Sequence, residues 1–316
     1  IFATVRPTHS RVALITDEYD GQVCSTGYFV LRGKENIDNK YLFYFLLTDE
    51  FNKQMEKLQK GASYPAVTDA EVKSIFLRFP KSLSEQKRIV STLDEAFIGI
   101  EKAKTNAEQN LKNAKELFES YLQEVFEKKG DGWERKSLCD VCDLSAGGDV
   151  PKDSFSEVKT EKHSIPIFAN GEKNDGLYGY TNIAKVFKPS ITVSARGTIG
   201  YSVKRLEPFF PIVRLVVVTP KDLIKIELDF LSYAIKTIKF KHSGSSIPQL
   251  TVPMIKDYEI PLPTIEEQQI IVHQLNALRA ETQKLEEIYQ KKLEDLEELK
   301  KSILQKAFTG ELSTTN

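Results

Sequence analysis

The chain has 316 residues, 41% hydrophobic and 28% charged, the balance of a globular protein with length for about two domains. A formal net charge of -1 excludes a protein that binds nucleic acid through bulk positive charge alone, and three cysteines cannot build a disulfide framework, so a reduced, cytoplasmic protein is expected. The longest apolar run, Phe209 to Val218, is broken by Pro211 and Arg214 and falls far short of the ~20 residues of a membrane span, so no membrane partner is expected.

Taken in chain order, Arg11-Val-Ala-Leu-Ile-Thr16 and Gly27-Tyr-Phe-Val-Leu31 read as strands, rich in β-branched and aromatic residues and bounded by turn formers. A helix is predicted over 39–59, with Leu42, Phe45 and Leu46 at helical spacing. It runs out in Lys53, Lys57 and Lys60 before the loop Gly61-Ala-Ser-Tyr-Pro65-Ala-Val-Thr68. Ser82-Leu-Ser-Glu85, just after Pro80, has capping-box spacing and announces a long helix that should fade near Gly130. A second globular stretch follows, with strands at Ile191–Ser194 and Val213–Thr219 and a helix over 222–240 carrying Leu228, Leu231 and Ile235. Its basic end, Lys236, Lys239, Lys241 and His242, leads into Gly244-Ser-Ser-Ile-Pro248-Gln-Leu-Thr251. Thr264-Ile-Glu-Glu267 then caps a second long helix, which should end near Gly310.

The second half repeats the first. The two Gly-to-Thr loops correspond, Glu85-Gln86 returns as Glu267-Gln268 182 positions later, and Leu117-Phe-Glu-Ser120 returns as Leu299-Lys-Lys-Ser302. The segments read as a first globular unit, 1–81, a long helix, 82–131, a second globular unit, 132–263, and a second long helix with its tail, 264–316. Each helix would be ~65 Å long at 1.5 Å per residue. Heptads place Leu93, Ile100, Asn110 and Leu117 on the seam of the first helix. Those of the second are Leu275, Leu278, Leu285, Tyr289, Lys292, Leu296 and Leu299. Alanines on one seam and large side chains on the other favour pairing within the chain, with Asn110 and Lys292 as register-setting polar positions. The predicted fold is α+β: two mixed α/β units separated by an intramolecular antiparallel coiled coil, with a pseudo-two-fold internal repeat. In that arrangement the units lie at opposite ends of a rigid spacer.

This pattern resembles the specificity subunits of type I restriction-modification enzymes, which alternate two target-recognition domains with two conserved helices. The most specific carriers are Ile260-Pro-Leu-Pro263-Thr-Ile-Glu-Glu267-Gln268, the Gly-Ser-Ser-Ile-Pro loop at 244–248, the ending Leu304-Gln-Lys-Ala-Phe308-Thr-Gly310, and Gly132-Trp133 at the start of the second unit. There is one departure. About 60 residues precede Thr192-Val193 in the second unit but almost none precede Thr4-Val5 in the first, and the chain begins with Ile1, which together predict a further N-terminal segment. The resemblance implies a bipartite, asymmetric double-stranded DNA target, two methyltransferase subunits held through the helices, and a motor-nuclease subunit able to join. S-adenosylmethionine, ATP and magnesium would be bound by those partners and none by this chain.

Chemistry is sparse. The sequence has no phosphate loop, no H-E-x-x-H, no nucleophile elbow and no methyltransferase signature, so no catalytic or metal site is expected. Cys139-Asp-Val-Cys142 has metal-pair spacing, but Cys24 is solitary and four ligands are not at hand; buried structural cysteines are expected. Asp149 with Glu157-Val-Lys159 imitates a nuclease pattern inside a Gly/Pro/Ser-rich loop and reads as solvated. Candidate DNA contacts are Lys173, Asn174, Ser194, Arg196 and Thr198 in the second unit and Arg6 and His9 in the first. Lys60 and Lys241 border the shared loops and Ser245 and Ser246 lie in the second, where a common motif suits shaping the hinge between head and helix, or touching phosphate or a partner, better than reading bases. Arginine suits guanine, amides suit adenine, and hydroxyls suit phosphate. The globular units are slightly basic, 11 against 10 over 1–83 and 18 against 15 over 133–265, so low DNA affinity without partners is expected. Two other readings stand beside this one: the specificity portion of a single-chain restriction-methyltransferase fusion, and a coiled-coil scaffold whose heads bind protein.

Overall fold

The computed structural model describes residues 1–9, 11–19, 21–128, 133–241 and 248–312. They form two compact units, 1–112 with 285–316, and 113–284.

The first head carries strand β1 (Phe2–Ala3), paired antiparallel with β2 (Tyr28–Phe29). Of the strand predicted over 11–16, only a single bridge from Val12 to Phe2 forms. Ile15 and Val23 stand exposed without a neighbouring ladder, and β propensity without cross-strand partners does not make a strand. The predicted helix 39–59 is two: α1 (Asn39–Phe45) and α2 (Asp49–Leu58). Thr48 breaks it, its hydroxyl donating to the Phe45 carbonyl and accepting from the Phe51 N–H as the cap of α2. Helix α3 (Asp69–Lys73) begins at a Thr68/Glu71 capping box and leads to the long α4 (Leu83–Glu127).

The second head contains β3 (Glu134–Ser137), α5 (Leu138–Val141), β4 (Cys142–Ala146), β5 (Ile165–Phe168), β6 (Leu177–Thr181), β7 (Ser190–Val193), β8 (Ser202–Arg205), β9 (Phe210–Pro211) and β10 (Val216–Pro220). Then come α6 (Leu228–Thr237), α7 (Val252–Ile255), β11 (Glu259–Leu262) and the long α8 (Ile265–Thr309). An antiparallel sheet runs β4-β10-β7-β8, a second runs β6-β5-β9 with β5 and β9 parallel, and β11 pairs with β3. The Val216-Val-Val218 run of β10 is buried on both faces, as a central strand requires. Helix α6 starts at Leu228, later than position 222, because Asp222 closes a turn onto Ile224 and Ile226 and Glu227 takes the cap.

Each head is packed by the start of one long helix and the end of the other. In the first unit Phe2, Phe45, Phe51 and Met55 make the core, and Phe308 near the end of α8 stacks 4.8 Å from Tyr41 and 5.9 Å from Phe45. In the second, Phe126 near the end of α4 lies 5.1 Å from Phe230 of α6, and Phe118, Leu122, Val272 and Leu275 close the same core. A tyrosine of each head helix also donates to its long helix, Tyr44 to Asp94 at 2.5 Å and Tyr233 to Asn276 at 2.7 Å.

The repeated glutamine explains why Glu-Gln recurs. Gln86 is fully buried: its amide donates to the carbonyls of Asn36 and Pro80 at 3.0 and 2.8 Å, and its oxygen accepts the N–H of Asp38, the cap of α1, at 2.8 Å. Gln268 does the same to Lys225, Pro263 and the N–H of Glu227, the cap of α6. The preceding Glu267 caps α8 through Thr264. Ser82 accepts the Glu85 N–H at α4, while the Glu85 carboxylate binds Arg88.

The long helices pair antiparallel within each unit. Glu101 meets Lys300 and Lys104 meets Glu297, one index rising as the other falls. In the second unit Arg279 lies over the Phe118 ring at 4.8 Å. Of the seam residues, Leu93, Ile100 and Leu275 are buried, and Asn110, Leu278, Tyr289 and Leu296 are partly so. Four positions are corrected. Leu117 is 50% exposed while Phe118 is 3%, and Leu285, Lys292 and Leu299 face outward while Glu286, Leu293 and Lys300 turn inward. An ideal helix drifts ~20° per heptad against a strict 3.5 repeat, so one stripe holds while the other moves by a residue.

Two outcomes follow. Gln268→Ala strands three polar backbone groups, each costing about 1–3 kcal/mol if left dry, so a loss of several kcal/mol is expected in urea unfolding. Phe118→Ala should cost about 3–5 kcal/mol, whereas Leu117→Ala should stay under ~1 kcal/mol; equal losses would restore the heptad phase.

Candidate nucleic-acid interface

The loops at one edge of the second head are tied together by Asn170. Its side-chain oxygen accepts the Ala195 N–H at 2.7 Å and its amide donates to the Val213 carbonyl at 2.6 Å. The next residue, Gly171, donates its N–H to Ser194 Oγ at 3.2 Å. Three loops, at 169–176, 194–200 and 212–215, are thereby held in register. Gly147 makes the third possible: a Cβ there would lie 2.7 Å from the Ile212 backbone. With that close approach Val213 and Arg214 donate their N–H groups to Gly148 and Gly147, at 2.8 and 3.1 Å. Both adopt left-handed backbone, φ 52° and 63°, as do Asn174 and Asp175 at 50° and 53°. Such conformations cost about 1–2 kcal/mol per residue with a Cβ. They also explain why the predicted strand over 213–219 begins only at Val216.

Beneath these loops Arg205 is buried, its guanidinium 3.5 Å from the Phe168 ring centre, with Thr192 Oγ1 at 3.1 Å and the Asp175 carbonyl as acceptors. Desolvation pulls its pKa down to about 10, so it stays charged at neutral pH. The Asp175 carboxylate accepts from Tyr201 Oη at 2.7 Å and holds that phenol up at about 12. Arg205 and Arg214 were not singled out in the sequence, because their roles depend on contacts 13 to 67 positions away.

Among the sequence candidates, Lys173, Asn174, Arg196 and Thr198 are exposed on these loops. Arg196 bridges to Gln249 of the second shared loop, and its guanidinium is 3.0 Å from Gln249 Oε1. Ser194 is buried, its hydroxyl spent on Gly171, so it positions the loop and offers solvent no contact. Lys241 is exposed, with its N–H on Tyr258 Oη. Ser245 and Ser246 lie outside the described residues.

The first head builds the same junction. Thr4 accepts the Val67 N–H as Ala195 accepts that of Leu250, and Val5 bridges Ala66 as Arg196 bridges Gln249. Hydrogen bonding thus equates Thr4 with Ala195, three positions beyond the Thr192 that sequence suggested, and Arg6 with Gly197, whose φ values are 52° and 71°. Arg6 lies over the exposed Tyr64 ring at 4.9 Å, with its guanidinium on the Ser63 carbonyl at 3.4 Å. His9 is exposed in a short 3-10 turn. Lys60 pairs with Glu71 at 2.7 Å, which partly neutralises it, and that bond with those to Thr68 holds the Glu71 carboxyl down at about 2.

The expected decoys sit apart from any such cluster. Cys142 is buried and its thiol pushed up to about 12 by desolvation, whereas Cys139 is exposed, contrary to the expectation that both are buried. Asp149, Glu157 and Lys159 are exposed. Among the described residues no three His, Cys, Asp or Glu side chains converge to hold a metal, and no helix is long and apolar enough to cross a membrane.

A head-plus-helix module used twice, with loops pinned at each head–helix junction, defines a duplicated recognition protein. The family model described as "Type I restriction modification DNA specificity domain" matches residues 1–110 and 130–295, and the chain belongs to that family. Two Mycoplasma pneumoniae proteins named as type I specificity subunits are 33% and 36% identical over 51% and 54% of this chain. Those matches span 44% and 45% of the relatives, so about half the length of each is covered. A type I restriction enzyme specificity subunit of Methanocaldococcus jannaschii is 25% identical over 89% of this chain and 72% of its own. A chain solved in work on complex assembly and conformational transition of the type I R-M system superposes with a TM-score of 0.87 at 26% identity, covering 98% of this chain and 80% of that one. The HsdS subunit of Thermoanaerobacter tengcongensis gives 0.66 at the same identity and coverage.

Because Glu71 has a depressed folded pKa, its link to Lys60 contributes above the ordinary carboxylate pKa of ~4.3 and is lost as pH falls through about 2. A carboxyl NMR titration should therefore show Glu71 ionised at pH 3, and Lys60→Ala should raise its midpoint toward the ordinary value.

Proposed function

We propose that this chain is the DNA-sequence specificity subunit of a type I restriction-modification complex. It reads a bipartite, asymmetric double-stranded target, one part per head, and chooses where partner subunits act. The observation that carries this reading is the specificity-domain match, which spans both heads. The loops support it: cations and amides stand on rigid, hydrogen-bonded turns, the geometry that base-edge reading requires. The heads differ in sequence around a shared frame, which suits two different half-sites.

The chain itself is the non-catalytic part. Two methyltransferase subunits, with a motor-nuclease subunit able to join, would supply methyl transfer, ATP hydrolysis and cleavage in the cytoplasm. S-adenosylmethionine, ATP and magnesium belong to them in this reading. With a net charge of -1 the chain contributes few phosphate contacts, so tight binding depends on the partners.

The test is selection from a random duplex library by the chain assembled with its methyltransferase at near-physiological salt. Recovery of an asymmetric two-part motif with a fixed gap is expected. Salt-sensitive binding without a motif, from a well-formed complex, would replace this reading with the protein-binding scaffold.

A further inference from the structure

We propose that Arg214 reads a guanine in the half-site of the second head, and that Asn170 is the positioning residue that presents it beside Arg196. This rests on the DNA-recognition reading above.

Val213 and Arg214 are consecutive residues in left-handed backbone, a conformation that glycine adopts freely and a β-branched valine resists. Packing of their own side chains does not explain it, since both are exposed. Three hydrogen bonds impose it instead: the N–H groups on Gly148 and Gly147, and the Val213 carbonyl on Asn170. Disfavoured backbone maintained at an exposed position, without burial in return, points to a use for what it projects. What it projects is a guanidinium that forms no ion pair among the described residues.

The surroundings suit nucleic acid. Lys185, near Gly148 and 4.4 Å from the Phe210 ring centre, is a second exposed cation, with no carboxylate partner among the described residues. Asn170 also accepts the Ala195 N–H, so one amide fixes both the Arg214 turn and the segment that carries Arg196. Two arginines on loops locked to each other form a reader rather than a mobile phosphate sweep. Arginine pairs with guanine O6 and N7 in the major groove, and the exposed Val213 methyls beside it suit a thymine methyl.

The experiment repeats the library selection with the assembled complex and three variants. Arg214→Asn removes the guanidinium but keeps a residue that tolerates left-handed backbone, so the turn survives. Arg214→Lys keeps the charge without the bidentate fork. Asn170→Asp keeps the acceptor for Ala195 but loses the donor to Val213. Arg214→Asn should lose about tenfold or more in guanine preference at one position of one half-site, leaving the other half-site intact. Arg214→Lys should retain affinity but lose that preference, and Asn170→Asp should blur the same position.

An unchanged motif in Arg214→Asn overturns the proposal. So does a uniform loss of affinity with the motif intact and a salt slope reduced by about one, which would mark a phosphate contact. If the unmodified complex selects no motif, the DNA-reading function itself falls, and this proposal with it.

Discussion

The buried glutamine at the start of each long helix is the constraint on which the rest of the protein depends. Gln86 and Gln268 each satisfy two carbonyls and one capping N–H in places that water does not reach. Three bonds from one side chain join the head helix, the connection before the long helix and the long helix itself. An amide is the one uncharged side-chain group that can donate twice and accept at once. A carboxylate would face two carbonyls without donors, and an apolar residue would leave three backbone groups dry. The recurrence of the glutamine after 182 positions therefore has a cause: its amide fastens the head to the long helix in both repeats, while the preceding carboxylate caps α8 through Thr264 and binds Arg88 at α4.

From that joint the rest of each unit follows. With the start of one long helix fixed to a head, the antiparallel partner brings the end of the other onto the same head, as Phe308 on α1 and Phe126 on α6 show. The first head is thus completed by a segment remote in sequence, and the second by the helix end that leads into it. The cross-helix pairs Glu101–Lys300 and Lys104–Glu297 are exposed and add little stability, but they discriminate between registers. Stability comes from the aromatic and aliphatic side chains at the junctions. A recognition protein needs this division, because loops that discriminate between bases must stand on elements that do not move.

In both heads the exposed loops combine firm anchoring with cations that form no ion pair among the described residues, Arg6 in the first and Arg196 and Arg214 in the second. The same bridge from a loop residue to the position after a proline appears at Val5–Ala66 and Arg196–Gln249. A left-handed residue follows each, Arg6 in one head and Gly197 in the other. The frame is shared and the side chains hung on it are not. Two readers with different targets can arise from one shared junction in this way, with different loops and side chains built on it.

Much of this was written locally. Capping signals, helical periodicity and the long repeat determined the two long helices, their starting points, the α+β class and the family resemblance, because caps and periods join residues a few positions apart and the repeat shows the same local signals twice. Seam positions Leu93, Ile100 and Leu275 were equally legible, whereas Leu117, Leu285, Lys292 and Leu299 were not, since helical drift accumulates over many turns. The exposed candidates Arg196, Lys173 and Asn174 could be read as turn-borne polar residues. Only tertiary structure decided that Ser194 is buried, that Arg205 sits beneath the loops, and that Asn170 ties Ala195 to Val213. The reason is physical: a hydrogen bond between residues 25 or 43 positions apart leaves no periodic trace in a chain, and it exists only once the sheet has brought both ends together.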